Sequence, residues 1–149
     1  MNVLFKTMLG EKNSHYYLKQ FELLENDRKK YKVSWNWAAF FAGPLWALYR
    51  KMYVWCLVIF ILNKLLGTLG GDASLLFNIL ILIVPNMVFA LYANVLYRNH
   101  LCVKISKAIK INKTDSELLS SLKQQGGVNM WVVYVFISVV ILVLLLLLL

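Results

Sequence analysis

Residues 131–149 read WVVYVFISVVILVLLLLLL, an uncharged stretch that closes on a run of leucines from Leu144. A helix needs about 17–25 mainly apolar residues to cross the hydrocarbon core of a bilayer, and this segment meets that length. Two earlier stretches, 52–69 and 74–97, meet it as well. The link Gly70-Gly71-Asp72-Ala73 between them carries no cation and suits a tight turn. With 60% hydrophobic residues, 15% charged residues and a mean hydropathy of +0.64, the chain exceeds what a soluble fold needs. The fold expected is all-α and membrane-embedded, with three transmembrane helices plus amphipathic interfacial and cytoplasmic helices.

The cations orient these segments. Of sixteen Lys and Arg residues, all but Lys64 fall in residues 1–33, at Arg50 and Lys51, or in the stretch between the second and third spans. Flanking cations tend to remain in the cytoplasm, so the N-terminus is expected inside and the C-terminus outside. The formal charge of +9 is then a statement about topology. Nucleic-acid binding would need tighter clustering and a base-reading element, and neither is present. Membrane lipids are the expected partners, with anionic headgroups favoured near 98–113 by about 1 kcal/mol per cation. A homo-oligomer or another membrane protein is the further partner class. Residues 1–10 lack the apolar core of a cleavable signal, so insertion through the chain's own spans is expected.

The polar pieces carry helical periodicity. Tyr17, Phe21 and Leu24 recur on one face, opposite Lys19, Glu22 and Glu25, and Asn13 or Ser14 is placed to cap that helix. After the second span, Leu101, Ile105 and Ala108 oppose Lys104, Lys107 and Lys110. Thr114-Asp115-Ser116-Glu117 reads as a capping box, Leu118, Leu119 and Leu122 as an apolar face, and Gly126-Gly127 as the stop. Neither stretch can hold a separate core, so each should pack on the other, on the membrane surface or on a partner. Five regions follow: a cytoplasmic N-terminal region (1–33), an aromatic interfacial segment (34–51), a helical hairpin (52–97), a basic cytoplasmic linker (98–130) and a final span (131–149).

Residues 34–53, SWNWAAFFAGPLWALYRKMY, hold three of the five tryptophans. The sixteen residues 34–49 are short for a span, and Gly43-Pro44 interrupts the helix midway. Two short helices in the interface are expected, with Trp35, Trp37, Trp46, Tyr49, Arg50, Lys51 and later Trp131 as anchors. The alternative starts the first span at Pro44 as its first helical residue, with Arg50 and Lys51 snorkelling. The string from Trp35 to Tyr53, together with Tyr16-Tyr17-Leu18-Lys19-Gln20-Phe21, resembles a bacterial family of small membrane proteins known as domain of unknown function number 2628. That resemblance runs from about Tyr16 to Arg98, and more loosely to Gly126-Gly127 and the last span. It implies a bacterial inner-membrane protein, and it carries over no catalytic or ligand-binding residue.

Among candidate sites, Lys64 is foremost, because a cation at mid-bilayer costs about 2.5–3.5 kcal/mol and calls for a partner or an interface. Asn63, Lys64, Asp72 and Asn78 form a candidate polar cluster fastening the hairpin, or alternatively an ion or proton site. Asn78, Asn86 and Asn94 recur every eight residues without making a straight stripe, and interhelical hydrogen bonds are the ordinary explanation. Ala38/Ala42 and Ala39/Gly43 are small-residue pairs that would permit close helix approach. His100 and Cys102 are spaced like two metal ligands but lack a third and fourth, so no metal or cofactor is expected. Cys56 and Cys102 are read as free thiols. No nucleophile–base, zincin or P-loop motif occurs. The expectation is a non-enzymatic multipass protein acting as an accessory or scaffold subunit; the alternative is a small homo-oligomeric transport or channel subunit.

Overall fold

The computed structural model describes residues 2–11, 14–26, 33–70, 74–112 and 114–148. Every regular element among them is a helix: α1 (Asn2–Leu9), α2 (Ser14–Asn26), α3 (Trp37–Ala42), α4 (Pro44–Tyr49), α5 (Tyr53–Gly70), α6 (Leu75–Ile111), α7 (Asp115–Gln125) and α8 (Met130–Leu148). Local chemistry sets the boundaries. Thr114 caps α7 through its hydroxyl while Glu117 reaches back to the Thr114 N–H, completing the capping box. The Ser74 hydroxyl accepts from the Phe77 N–H at the start of α6. The Asn36 side chain does the same for Ala39 at the start of α3, at 2.9 Å.

The spine is α6. Its 37 residues extend about 55 Å, against the roughly 30 Å of a bilayer's hydrocarbon core. A buried stripe of Phe89, Ala93, Tyr97, Leu101, Ile105 and Ala108 follows one face at three- and four-residue steps. The first part of this stripe receives α3 and the second receives the head formed by α1, α2 and α7. Tyr17, Phe21 and Leu24 of α2 are all buried, as their spacing predicts. So is Leu122 of α7, whereas Leu119 remains exposed, which narrows the apolar face expected there. The amphipathic pieces therefore pack on each other. Helix α1, which the sequence reading leaves unassigned, supplies Phe5, Met8 and Leu9 to that core.

Helices α3 and α4 form a tight hairpin around Gly43, whose φ of +46° favours a residue without Cβ. A Cβ there would also stand 2.7 Å from Asn86 Oδ1 of α6. The chain entering α3 is extended, and its N–H groups are met by α6: Ser34 donates to the Leu91 carbonyl and Asn36 to that of Ala90, each at 3.1 Å. Asn36 Nδ2 donates to Asn94 Oδ1 at 2.8 Å, and Asn94 Nδ2 donates to Ser34 Oγ at 2.9 Å. Both asparagines are buried, so this chain of amides replaces water for a short extended segment. Ala39 is fully buried against the core and Gly43 against Asn86, so the small residues of α3 serve contacts within this chain.

Two helices, α6 and α8, are long and apolar enough to cross a membrane; α5 is apolar but shorter in its qualifying stretch. Pro44 does open a helix, but α4 ends at Tyr49 and α5 begins afresh at Tyr53. The first apolar helix thus starts after Met52, not at Pro44. The stop at Gly126 has a packing reason too. A Cβ there would meet the Met8 carbonyl oxygen at 2.5 Å and the Met8 Cα at 2.9 Å, while the Gly127 N–H donates to that same carbonyl at 2.8 Å. Gly126→Ala is expected to destabilise the protein by about 1–3 kcal/mol through overpacking. Gly67→Ala, with open space around it, should gain about 0.5–1 kcal/mol. Thermal unfolding of both variants in one detergent checks the contrast; equal effects would show that α1 does not hold the α7–α8 link.

Candidate functional site

The site begins with how α4 stops. Lys51 takes a left-handed φ of +58°, its N–H bonds the Leu48 carbonyl at 3.0 Å, and the Met52 N–H bonds the Ala47 carbonyl at 2.8 Å. These are the two crossed bonds of a Schellman turn, with lysine where glycine is usual. The left-handed conformation costs a residue with Cβ roughly 1–2 kcal/mol. Lys51 Nζ donates to the Gly126 carbonyl oxygen, which binds the strained residue to the α7–α8 link. Arg50, as the cap residue, is thereby turned back beneath α4.

Arg50 is 2% exposed. Its guanidinium carbon lies 4.4 Å from the ring centroid of Tyr17 and 5.4 Å from those of Tyr49 and Tyr97, so α2, α4 and α6 each contribute one wall of an aromatic cage. The cage is braced from behind. Trp46 Nε1 donates to the Tyr17 hydroxyl at 3.3 Å, and the Trp46 ring meets Phe89 and Tyr97 edge-on. Yet Arg50 Nε and Nη1 are buried with no hydrogen-bond acceptor, and among the described residues no carboxylate pairs with this cation. Burying an unpaired charge costs several kcal/mol, while a desolvated cation–π contact returns about 2 kcal/mol. The cage places a positive charge and leaves the N–H groups of Nε and Nη1 without an acceptor.

Arg50 is also among the residues that line an open groove. A cavity of about 450 Å³ lies between the α3–α4 hairpin and the foot of α8, walled by Phe41, Ala42, Leu45, Val132, Val133 and Phe136 with Arg50, Tyr17 and Tyr49 at its base. Its size falls within the usual range for small-molecule sites, about 300–1,000 Å³. The foot of α8 is fixed there by the Asn129 N–H, which donates to the Tyr49 carbonyl at 2.8 Å.

The residues singled out in the sequence separate into groups. Trp46 and Arg50, read as interfacial anchors, are core residues: tertiary packing of α2 and α6 encloses both. Tyr49 is half-buried in the cage, and Lys51 is half-buried and tied to Gly126. Trp35 is half-buried against Trp37 and Phe40, whereas Trp37 at 63% and Trp131 at 76% are exposed as anchors would be. In the hairpin, Lys64 is exposed, and the half-buried Asn63 has an unpartnered Oδ1. Asn78 is half-buried, and Asp72 lies outside the described residues. Cys56 and Cys102 are free. Tyr97 is the member of the site that the reading of spans by apolar length misses, since it sits at the end of an apolar run; its four-residue spacing from Ala93 and Leu101 is the signal that marks it.

His100, beyond the apolar stretch of α6, is half-buried with Nε2 unpartnered. Burial, and secondarily the Lys104 ammonium, hold its pKa below the usual 6.5. Lys104 is lowered as well, by burial and then by Lys51. A histidine kept neutral in the fold takes up its proton sooner when unfolded. Its contribution is therefore complete above the ordinary histidine pKa and lost as pH falls through the folded one. Thermal stability should fall as pH drops below the ordinary histidine pKa of about 6.5, before the main carboxylate range is reached. His100→Gln should flatten that slope, and an unchanged slope would assign the acid sensitivity elsewhere.

Every regular element among its described residues is a helix, two of these helices are long and apolar enough to cross a membrane, and an arginine is caged between α2, α4 and α6. The chain belongs to the family described as "Protein of unknown function (DUF2628)", which it matches over residues 6–102. Neither the curated proteins nor the solved structures contain a match. The matched residues include Arg50, Tyr17, Tyr49 and Tyr97, and they end before α7 and α8 begin.

Proposed function

We propose that this is a multipass protein of a bacterial inner membrane, crossing it with α5, α6 and α8, N-terminus cytoplasmic and C-terminus outside, and that it serves as a non-enzymatic accessory or scaffold subunit. The observation that carries the reading is α8. It packs only on α4 among the described elements, and none of its most apolar window is buried inside the chain. A core helix of a soluble protein would be covered; this one requires lipid or another membrane helix. The head has buried Phe5, Met8, Leu9, Tyr17, Phe21 and Leu122, so the large apolar surfaces left for lipid or a partner are those of α5, α6 and α8. Exposed Lys107, Lys110 and Lys123 on the head suit the anionic inner leaflet.

A second reading draws on Lys64. Its exposure, beside the unpartnered Asn63 oxygen, faces away from the chain's own core, as a path shared between copies would require. That favours a homo-oligomeric transport subunit. Three measurements separate the readings. A tag after Leu149 should be reached from outside intact cells and one before Asn2 only after permeabilisation; a cytosolic C-terminus overturns the topology. Purification in mild detergent should recover a stoichiometric second membrane protein, and a lone monomer would sink the accessory role. Rings of identical chains that pass ions in a liposome flux assay would establish the transport reading in its place.

A further inference from the structure

We infer that Arg50 and the groove it closes hold one anionic phospholipid, with the phosphate on the guanidinium and an acyl chain along the channel between α3–α4 and α8. The inference rests on the membrane placement proposed above, because only there does lipid surround the groove. Three observations converge on it. The first is charge: Nε carries one N–H and Nη1 two, all buried and without an acceptor, on a side chain fixed by three tyrosine rings. A phosphate oxygen is the acceptor class that a guanidinium fits best, and such charge-assisted bonds are about twice as strong as neutral ones.

The second is the shape of the chemistry. From Arg50 the walls are apolar: Leu45, Ala42 and Phe41 on one side, Val132, Val133 and Phe136 on the other. A water-borne phosphate would find nothing along them, whereas an alkyl chain would bury itself. The third is direction. Asn129 of the α8 foot is bonded to Tyr49 beside Arg50, and α8 then runs away from that end towards Phe136. The charged end of the groove thus lies beside the basic head and the apolar end in the hydrophobic layer, the same polarity as a lipid in the inner leaflet. Lys51, beside Arg50, adds a second positive charge at that end.

Native mass spectrometry of the full chain in neutral detergent tests this, with dioleoyl-phosphatidylglycerol, dioleoyl-phosphatidylcholine and inorganic phosphate as probes. One phosphatidylglycerol per chain should be retained, preferred over phosphatidylcholine by about tenfold or more. Arg50→Gln should abolish the preference, and Lys107→Gln, on the exposed face of α6, should leave it unchanged. Should Arg50→Gln fail to fold, Ala38→Trp decides. It places an indole in the groove from an exposed position on α3 and should lower phosphatidylglycerol retention with Arg50 intact. Equal retention of the two lipids, equal losses in Arg50→Gln and Lys107→Gln, undiminished retention in Ala38→Trp, or displacement by an equal concentration of inorganic phosphate would each overturn the proposal. A chain that proves stable in water without detergent would fail earlier and differently, by removing the membrane reading itself.

Discussion

Interrupting a helix among apolar side chains leaves backbone groups that need partners, and the arrangement of this protein follows from how it answers that constraint. Between Ser34 and Pro44 the chain is extended, then helical, then broken at Gly43. Its orphaned N–H groups go to the Leu91 and Ala90 carbonyls of α6 and to the Asn36 side chain, and the amide of Asn36 is in turn held by Asn94. An Asn at position 94 is therefore the complement of a break more than forty residues earlier. Because these bonds fix the hairpin against one face of α6, Trp46 is pressed onto Phe89 and Tyr97, and the end of α4 falls where α2 passes. Arg50 is buried as a consequence of that docking.

Two adjacent cations meet this geometry in different ways. Arg50 carries a planar, weakly hydrated guanidinium, which tolerates stacking on tyrosine rings. Lys51 carries a compact ammonium that demands oxygen, and it finds the Gly126 carbonyl. Exchanging their order would put the strongly hydrated group in the aromatic cage and the fork-shaped one in the left-handed turn. The strain at Lys51 is thus offset locally, by a bond that also ties the α7–α8 link to α4.

Much of the helical plan was legible in the chain, for physical reasons that differ by element. The capping box at Thr114, the faces of α2 and the late part of α6, and the break at Gly43-Pro44 are local, so neighbours in sequence declare them. The apolar lengths of α6 and α8 declare themselves too. The site does not, because its members come from three helices and nothing near Arg50 in sequence reveals that Tyr17 and Tyr97 will enclose it. A positive charge beside aromatics reads as a lipid-water anchor whenever only the neighbouring residues are considered, and for Trp37 and Trp131 that reading agrees with their exposure. For Arg50 and Trp46 it fails, since the hydrogen bonds that bring the hairpin to α6 involve partners 58 and 60 residues apart. Helix α1 escaped notice for a similar reason: its three buried residues acquire meaning only once Met8 lies against Gly126.

The cage and the groove differ in what they depend on. Tyr17, Tyr49 and Tyr97 surround Arg50 without help from α8, and all lie in the residues that match the family. The groove exists only because α8 stands opposite the hairpin, and α8 is placed by two backbone bonds at its foot. Gly127 is held by Met8 of the head and Asn129 by Tyr49 of the hairpin. The second wall is therefore set by two bodies at once, the head through Met8 and the hairpin through Tyr49. The charge is a fixed feature of the fold, while the groove beside it depends on where α8 stands.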